Sequence, residues 1–186
     1  MANNMTNVSI ISKKKDLPIT LIGQMGAGKS TIGRLLASRM SLPFYDSDRE
    51  IEVFQKKFIN EIFELEGETK FREYEFTVIE KLLSKNRSII AVGGGAFINC
   101  YTRNIILNKS TSLWIKTDQN VIINRLINSK KRPLLEGVNV REKITELSDI
   151  RDPIYAKADI IIETNNTKPK MLIEQIINNL EIQFKE

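Results

Sequence analysis

The sequence predicts an α/β protein: a five-stranded parallel sheet with helices on both faces, a three-layer α/β/α sandwich. Three observations carry this. Short apolar runs rich in Ile, Val and Leu recur at residues 18–22, 42–45, 88–92, 112–115 and 159–162, each the length of a buried strand. Between them, apolar residues recur at helical spacing. Finally, the first run passes directly into a glycine-rich segment and then into an amphipathic stretch, an alternation that favours right-handed crossovers and a parallel sheet.

Each element can be justified in order. Residues 1–16 read as a loosely ordered leader, and residues 17–186 as one domain, a size that supports a single sizeable core. The first strand, 18–22, is followed by residues 23–31, GQMGAGKST, and by a helix carrying Ile32, Leu35, Leu36 and Met40 on one stripe. Residues 42–45 are a shorter strand ending in Asp46-Ser47-Asp48, with a helix beginning near Arg49. Val78, Ile79, Leu82 and Leu83 mark the next helix, after a segment in which Arg72 follows Phe71 at a helix start. The third strand, 88–92, ends in Gly93-Gly94-Gly95. Residues 112–115 form the fourth, and Val121, Ile122, Arg125 and Leu126 the helix behind it. Residues 159–162 form the fifth, and Leu172, Ile173, Ile176, Ile177 and Leu180 close the chain as a helix. Every such stripe is read as core packing.

Composition narrows the function classes. Hydrophobic content of 41% and charged content of 27% suit a soluble globular protein, and no apolar stretch approaches the roughly 18 residues of a membrane span. The single cysteine, Cys100, excludes an internal disulfide framework and fits a reducing cytoplasm; it reads as a small half-buried apolar residue. The net charge of +5 is dispersed, so a small anionic ligand explains it at least as well as nucleic acid does. With no histidine in the chain, a general base must be a carboxylate, a lysine or water, and imidazole metal sites are excluded. No heptad or interface stripe is evident, so the chain is expected to be a monomer.

The glycine-rich segment is the most specific signal. G-x-x-x-x-G-K-S between a strand and a helix is the phosphate loop of nucleoside-triphosphate-binding proteins. Its backbone N–H groups, including those of Gly26, Ala27 and Gly28, surround a phosphate chain at the positive end of the helix that begins at Lys29, Ser30 and Thr31. Lys29 reaches the β- and γ-phosphates, and the Ser30 hydroxyl is placed to ligate Mg²⁺.

In open parallel sheets, ligands gather beyond the carboxyl ends of the strands. After the second strand, Asp46 and Asp48 point the same way in an extended segment. One is suited to hold Mg²⁺ and the other to accept a proton, although the string also suits a helix cap. After the third, three consecutive glycines allow close backbone approach; a flexible turn explains one or two better than three. Arg72, Arg132 and Arg151 offer planar guanidinium groups for carboxylate or phosphate. Each alone reads first as a surface salt bridge, and spacing does not bring the three together.

In combination these segments resemble the shikimate kinases. The phosphate loop, Asp46-Ser47-Asp48, Phe71-Arg72-Glu73-Tyr74-Glu75, Gly93-Gly94-Gly95-Ala96, Arg132-Pro133-Leu134-Leu135 and Arg151-Asp152-Pro153-Ile154-Tyr155 occur in that family's order, from about Leu17 to the last helix. The resemblance implies a nucleoside monophosphate kinase-like fold with a substrate-binding segment at about 46–75 and a mobile lid at about 128–137. It implies transfer of the γ-phosphoryl group of ATP to the 3-hydroxyl of shikimate, on the route to chorismate and the aromatic amino acids. Carried over by position, Asp48 holds the shikimate hydroxyls and acts as base or orienting group, while Asp46 is the Mg²⁺-side carboxylate beside Ser30. Arg72 and Arg151 grip the substrate carboxylate, Glu75 supports the arginine, and Gly93, Gly94 and Gly95 approach the ring. Phe63 and Phe71 are apolar pocket walls, Arg125 packs on adenine, and Arg132 is the lid arginine reaching the transferring phosphate.

Two departures stand out. Where the family usually carries Gly and Ser, this chain has Lys56-Lys57-Phe58, and residues 164–169, TNNTKP, lack an arginine often found there. Two rival readings follow from the residues. One is another small-molecule kinase of this architecture, acting on gluconate or a nucleotide. The other is a nucleotide-binding protein that has lost catalysis, against which stand Lys29, Ser30, Asp46, Asp48 and Arg132 together.

Overall fold

The structure is a computed structural model and describes residues 14–127, 139–164 and 167–185. Five strands form one sheet: β1 (Ile19–Ile22), β2 (Phe44–Asp46), β3 (Ile89–Ala91), β4 (Thr111–Lys116) and β5 (Ile160–Glu163). Their order is β2-β3-β1-β4-β5, and every neighbouring pair is parallel. All carboxyl ends therefore reach one rim. The described helices are α1 (Lys29–Met40), α2 (Ser47–Gln55), α3 (Ile59–Leu83), α4 (Cys100–Lys109), α5 (Gln119–Ile127), α6 (Val140–Tyr155) and α7 (Pro169–Lys185).

Alternation along the strands makes the three layers. Ile19 and Leu21 of β1, with Leu113 and Ile115 of β4, face Ile32 and Leu36 of α1 and Leu172 and Ile176 of α7. Ile22, Ile90 and Trp114 face the opposite way, onto Phe71, Val78, Ile79 and Leu82 of α3 and Ile106 of α4. A strand buried on both faces reads as a continuous apolar run, which is why these strands were visible in the sequence. A smaller cluster joins Met25 of the phosphate loop to Ile122 and Leu126 of α5 and to Ile144 of α6.

Several expectations shift. Lys14 is buried and its ammonium donates to Asp159 at 2.7 Å, so the loose leader does not extend to residue 14. α2 begins at Ser47, because the Asp46 carboxylate accepts from the Asp48 N–H at 3.2 Å and caps it there. Arg72 lies inside α3 instead of at its start, although Gly67 (φ 82°, ψ 170°) breaks the helix five residues earlier. Cys100 is exposed, the first residue of α4, whose inward side is Thr102 and Ile106. Helices α4 and α6 carried no sequence expectation. α6 contains Pro153, which reads as a helix breaker until tertiary packing of Ile144, Leu147 and Tyr155 overrides it.

The Lys56-Lys57-Phe58 departure has a local consequence. Lys56 caps α2 in the left-handed region (φ 54°, ψ 33°), where an L-residue costs about 1–2 kcal/mol. Phe58 stands at the N-cap of α3 with no side-chain acceptor, while its own N–H donates to Glu61 Oε2 at 2.6 Å. Only half of a capping box is present. The join is held instead by Glu66, which accepts from Lys57 Nζ at 2.7 Å and from the Tyr74 hydroxyl at 2.6 Å, tying both sides of the Gly67 break together. Lys56→Gly and Phe58→Ser should each raise the melting temperature by about 2–4 °C in a thermal unfolding scan. A fall for either would mean that the native side chain packs usefully in that segment.

Candidate active site

The rim residues are set by the strand ends. After β1 the chain turns through Gly23 (φ 136°), Gly26 (φ 79°) and Gly28 (φ 95°), conformations that side chains resist. A Cβ on Gly23 would also lie 2.7 Å from the Ile115 carbonyl of β4. This curled backbone leads into α1 and leaves its first N–H groups at the cavity. Lys29 Nζ folds back over the loop, donating to the carbonyls of Gly23 at 2.7 Å and Gln24 at 3.0 Å. Arg125 Nη1 closes the outer side by donating to the Gly26 carbonyl at 3.0 Å.

Ser30 Oγ donates to Asp46 Oδ2 at 2.6 Å, linking the loop to the end of β2. Two oxygen donors at a phosphate site are a donor set suited to Mg²⁺, which takes one or two protein ligands and completes its shell with water and phosphate oxygens. No cluster of three or more acidic, cysteine or histidine ligands exists among the described residues, so the pair matches a cation carried by phosphate better than a protein cage. A cavity of about 500 Å³ runs along the rim, lined by the loop from Met25 to Thr31, Asp46, Asp48, Gly93, Gly94 and Arg125.

The other end of the rim is built around the glycine triplet. A Cβ on Gly93 would lie 2.8 Å from Asp48 Oδ1 and 2.9 Å from Glu75 Oε1, so two carboxylates converge on that one backbone position. A Cβ on Gly95 would sit 2.5 Å from the Arg72 guanidinium nitrogens. Arg72 donates to Glu75 Oε2 at 2.7 Å and to Glu68 Oε1 at 2.9 Å, and lies 5.2 Å over the Phe71 ring. Phe71 is buried and tilts against Phe63 with ring centroids 4.7 Å apart. Arg151, on α6, reaches across to within 3.5 Å of a Cβ on Gly94.

The structure thus brings together Lys29, Ser30, Asp46, Asp48, Arg72, Glu75, Gly93, Gly94, Gly95, Arg125 and Arg151 along one rim. Phe63 and Phe71 support it from α3. Arg132 and the whole segment 128–137 lie outside the described residues. Three supporting residues carried no expectation of a role. Ser47 Oγ accepts from the Gly93 N–H at 3.1 Å, and the Tyr155 hydroxyl donates to the Gly94 carbonyl at 2.5 Å. Gln24 accepts from Arg151 at 3.1 Å. Ser47 and Tyr155 sit within the quoted motifs, but only the parallel register shows that they pin the triplet.

Electrostatics separate the groups. Burial is the main cause that raises the Glu75 carboxyl above the ordinary glutamate range; Arg72 opposes it, and the charges of Asp48 and Glu68 add to it. Burial likewise pushes the Tyr155 phenol up to about 12, which keeps it a neutral donor to Gly94.

The sequence model of the shikimate kinase family matches residues 25–181. This chain belongs to the shikimate kinase family. It is 45% identical over 159 residues to a shikimate kinase of Zymomonas mobilis, covering 86% of this chain and 90% of the relative. A shikimate kinase of Caulobacter vibrioides is 41% identical over 162 residues, covering 87% and 81%. Among solved structures, the shikimate kinase from Acinetobacter baumannii in complex with shikimate superposes with a TM-score of 0.86 at 36% identity, covering 92% of this chain and 97% of that one. The shikimate kinase from Aquifex aeolicus gives a TM-score of 0.78 at 37% identity, covering 89% and 96%. A gluconokinase from Sinorhizobium meliloti, at 11% identity and a TM-score of 0.58, shares the fold alone. In this family member the phosphate loop and the glycine triplet follow adjacent parallel strands. No helix among its described residues is long and apolar enough to cross a membrane.

The raised Glu75 value has a signed consequence. The folded state holds that proton more tightly than the unfolded chain does. Glu75 therefore disfavours folding increasingly as the pH rises from the unfolded-state value, about 4, through its raised one. Glu75→Gln should flatten that part of the stability–pH profile measured by thermal unfolding. A slope equal to that of the parent protein would show that Glu75 titrates alike in both states.

Proposed function

We propose that this protein transfers the γ-phosphoryl group of ATP to the 3-hydroxyl of shikimate, yielding shikimate 3-phosphate and ADP for chorismate and aromatic amino acid synthesis. The observation that carries the reading is the glycine triplet, flanked by two arginines and two carboxylates and lying beside a phosphate loop. A small carboxylated polyol needs cations for its acid and acceptors for its hydroxyls, and this rim offers both. A relative of the same family holds shikimate.

In this reading Arg72 and Arg151 take the carboxylate, with Glu75 and Phe71 holding Arg72 in place. Asp48 accepts a hydrogen bond from the 3-hydroxyl and orients it toward the γ-phosphorus. A loose transition state asks little basicity of it, so orientation outweighs deprotonation. Lys29 exchanges its carbonyl partners for the phosphate oxygens and neutralises their growing charge. Gly26 to Thr31 hold the phosphates, and Arg125 stacks on the adenine. Ser30 and Asp46 would hold Mg²⁺, which when bound neutralises phosphate charge. Arg132 and the lid at 128–137 enter by family resemblance, as groups that close over the phosphates and exclude water. The reading includes a monomer acting in the cytoplasm, supported by the chain's single cysteine and by the lack of an interface stripe in the sequence.

An assay of ADP release with shikimate, gluconate and nucleoside monophosphates in parallel tests this directly. Stimulation by shikimate alone is expected; rates no higher than background ATP hydrolysis would end the reading. Asp48→Asn should lower kcat by roughly 10²–10⁴ with ATP affinity nearly intact, and an equal loss of ATP affinity would put Asp48 on the nucleotide side. Arg151→Ala should chiefly raise the KM for shikimate, and an unchanged KM would remove Arg151 from the carboxylate site.

A further inference from the structure

Gln24 lies inside the phosphate loop yet faces the acceptor end. The residue is 4% exposed, and its Oε1 accepts from Arg151 Nη1 at 3.1 Å. Its backbone carbonyl accepts from Lys29 Nζ at 3.0 Å, so one residue touches a cation of each half of the site. A guanidinium only donates, so the amide oxygen must be the atom facing Arg151. The other end of the amide, Nε2, is buried without a hydrogen-bond partner among the described residues. The Arg151 bond is thus what orients this amide, and the amide orients Arg151.

The two arginines of the rim are held by different chemistry. Arg72 is paired with the carboxylates of Glu75 and Glu68, which together offset its charge. Arg151 forms no ion pair with a carboxylate among the described residues; its polar partners there are the Gln24 amide and the neutral Tyr155 phenol. Neutral partners fix the direction of a guanidinium without cancelling its charge. Arg151 therefore brings an uncompensated positive charge to the wall beside Gly94.

We propose that Gln24 is a positioning residue that sets acceptor specificity: it aims the Arg151 guanidinium while leaving it fully charged, so the site selects an acceptor bearing a carboxylate. This rests on the assignment of a shikimate-like acceptor given above. It adds that the discrimination is made from within the phosphate loop, by an amide where an acid of the same shape would abolish it.

Gln24→Glu and Gln24→Leu separate charge from geometry. The glutamate variant keeps the shape but pairs with Arg151. It should raise the KM for shikimate about tenfold or more, the loss expected for one charge-assisted contact. The KM for ATP should stay within about twofold, since the loop backbone is unchanged. The same variant should leave the KM for the uncharged carboxamide analogue of shikimate nearly unaltered. Gln24→Leu, which frees Arg151 but leaves it charged, should fall between the parent and Gln24→Glu. A KM for shikimate equal to the parent's in Gln24→Glu would overturn the inference. So would equal losses on the acid and the carboxamide, or a parallel rise in the KM for ATP, each of which is what a purely structural loop residue gives. If the parent protein itself shows no shikimate-dependent ADP release, it is the acceptor assignment that fails, and this inference falls with it.

Discussion

The parallel pairing of β1 with β3 is the constraint on which the site depends. It matches Leu21 with Ala91, so the phosphate loop and the glycine triplet leave the sheet side by side in the same direction. A slip of one residue would turn each strand's apolar set toward the wrong helical layer, and both layers are tightly filled. The core therefore enforces the register, and the register brings the phosphate loop and the glycine triplet together. The loop residues Met25 to Thr31 share one cavity with Gly93 and Gly94 because the strands that precede them pair in parallel.

From that constraint the supporting bonds follow as local consequences. Ser47 holds the Gly93 N–H, Tyr155 holds the Gly94 carbonyl, and the Ser30–Asp46 bond joins loop to β2. Gly93 and Gly95 are glycine for a steric reason visible here: Asp48, Glu75 and Arg72 already occupy the space where their Cβ atoms would lie. Charge is organised in the same economy of space. Arg72 is paired with acids and built into the helix, whereas Arg151 is aimed by neutral groups from α6. One arginine is held by charged partners, and the other by neutral ones.

The central strands β1, β3 and β4 were legible because burial on both faces writes continuous apolar runs, and the stripes of α1 and α7 have clear helical spacing. The elements that escaped did so for identifiable reasons. α6 hides behind Pro153, whose helix-breaking tendency is overridden by Ile144, Leu147 and Tyr155 packing inward. The break at Gly67, five residues before Arg72 in α3, cannot be told from an ordinary helical glycine by composition. Gln24 is an unspecified position of the G-x-x-x-x-G-K-S pattern, and its bond to Arg151 of α6 comes only with the fold.

By itself the sequence determined the phosphate loop, the strand order in the chain, the residue types at each strand end and, through their combination, the family. Those are local properties: glycine spacing, apolar runs and short motifs that need no partner to be read. Only the tertiary structure decided which charges meet. The pairing of Arg72 with Glu68 and Glu75 is local to α3, whereas the convergence of Asp48 and Glu75 on Gly93 and the neutral hold on Arg151 join residues from different strands and helices. Such contacts depend on register and helix placement, which the packing of the whole core sets and no single segment encodes.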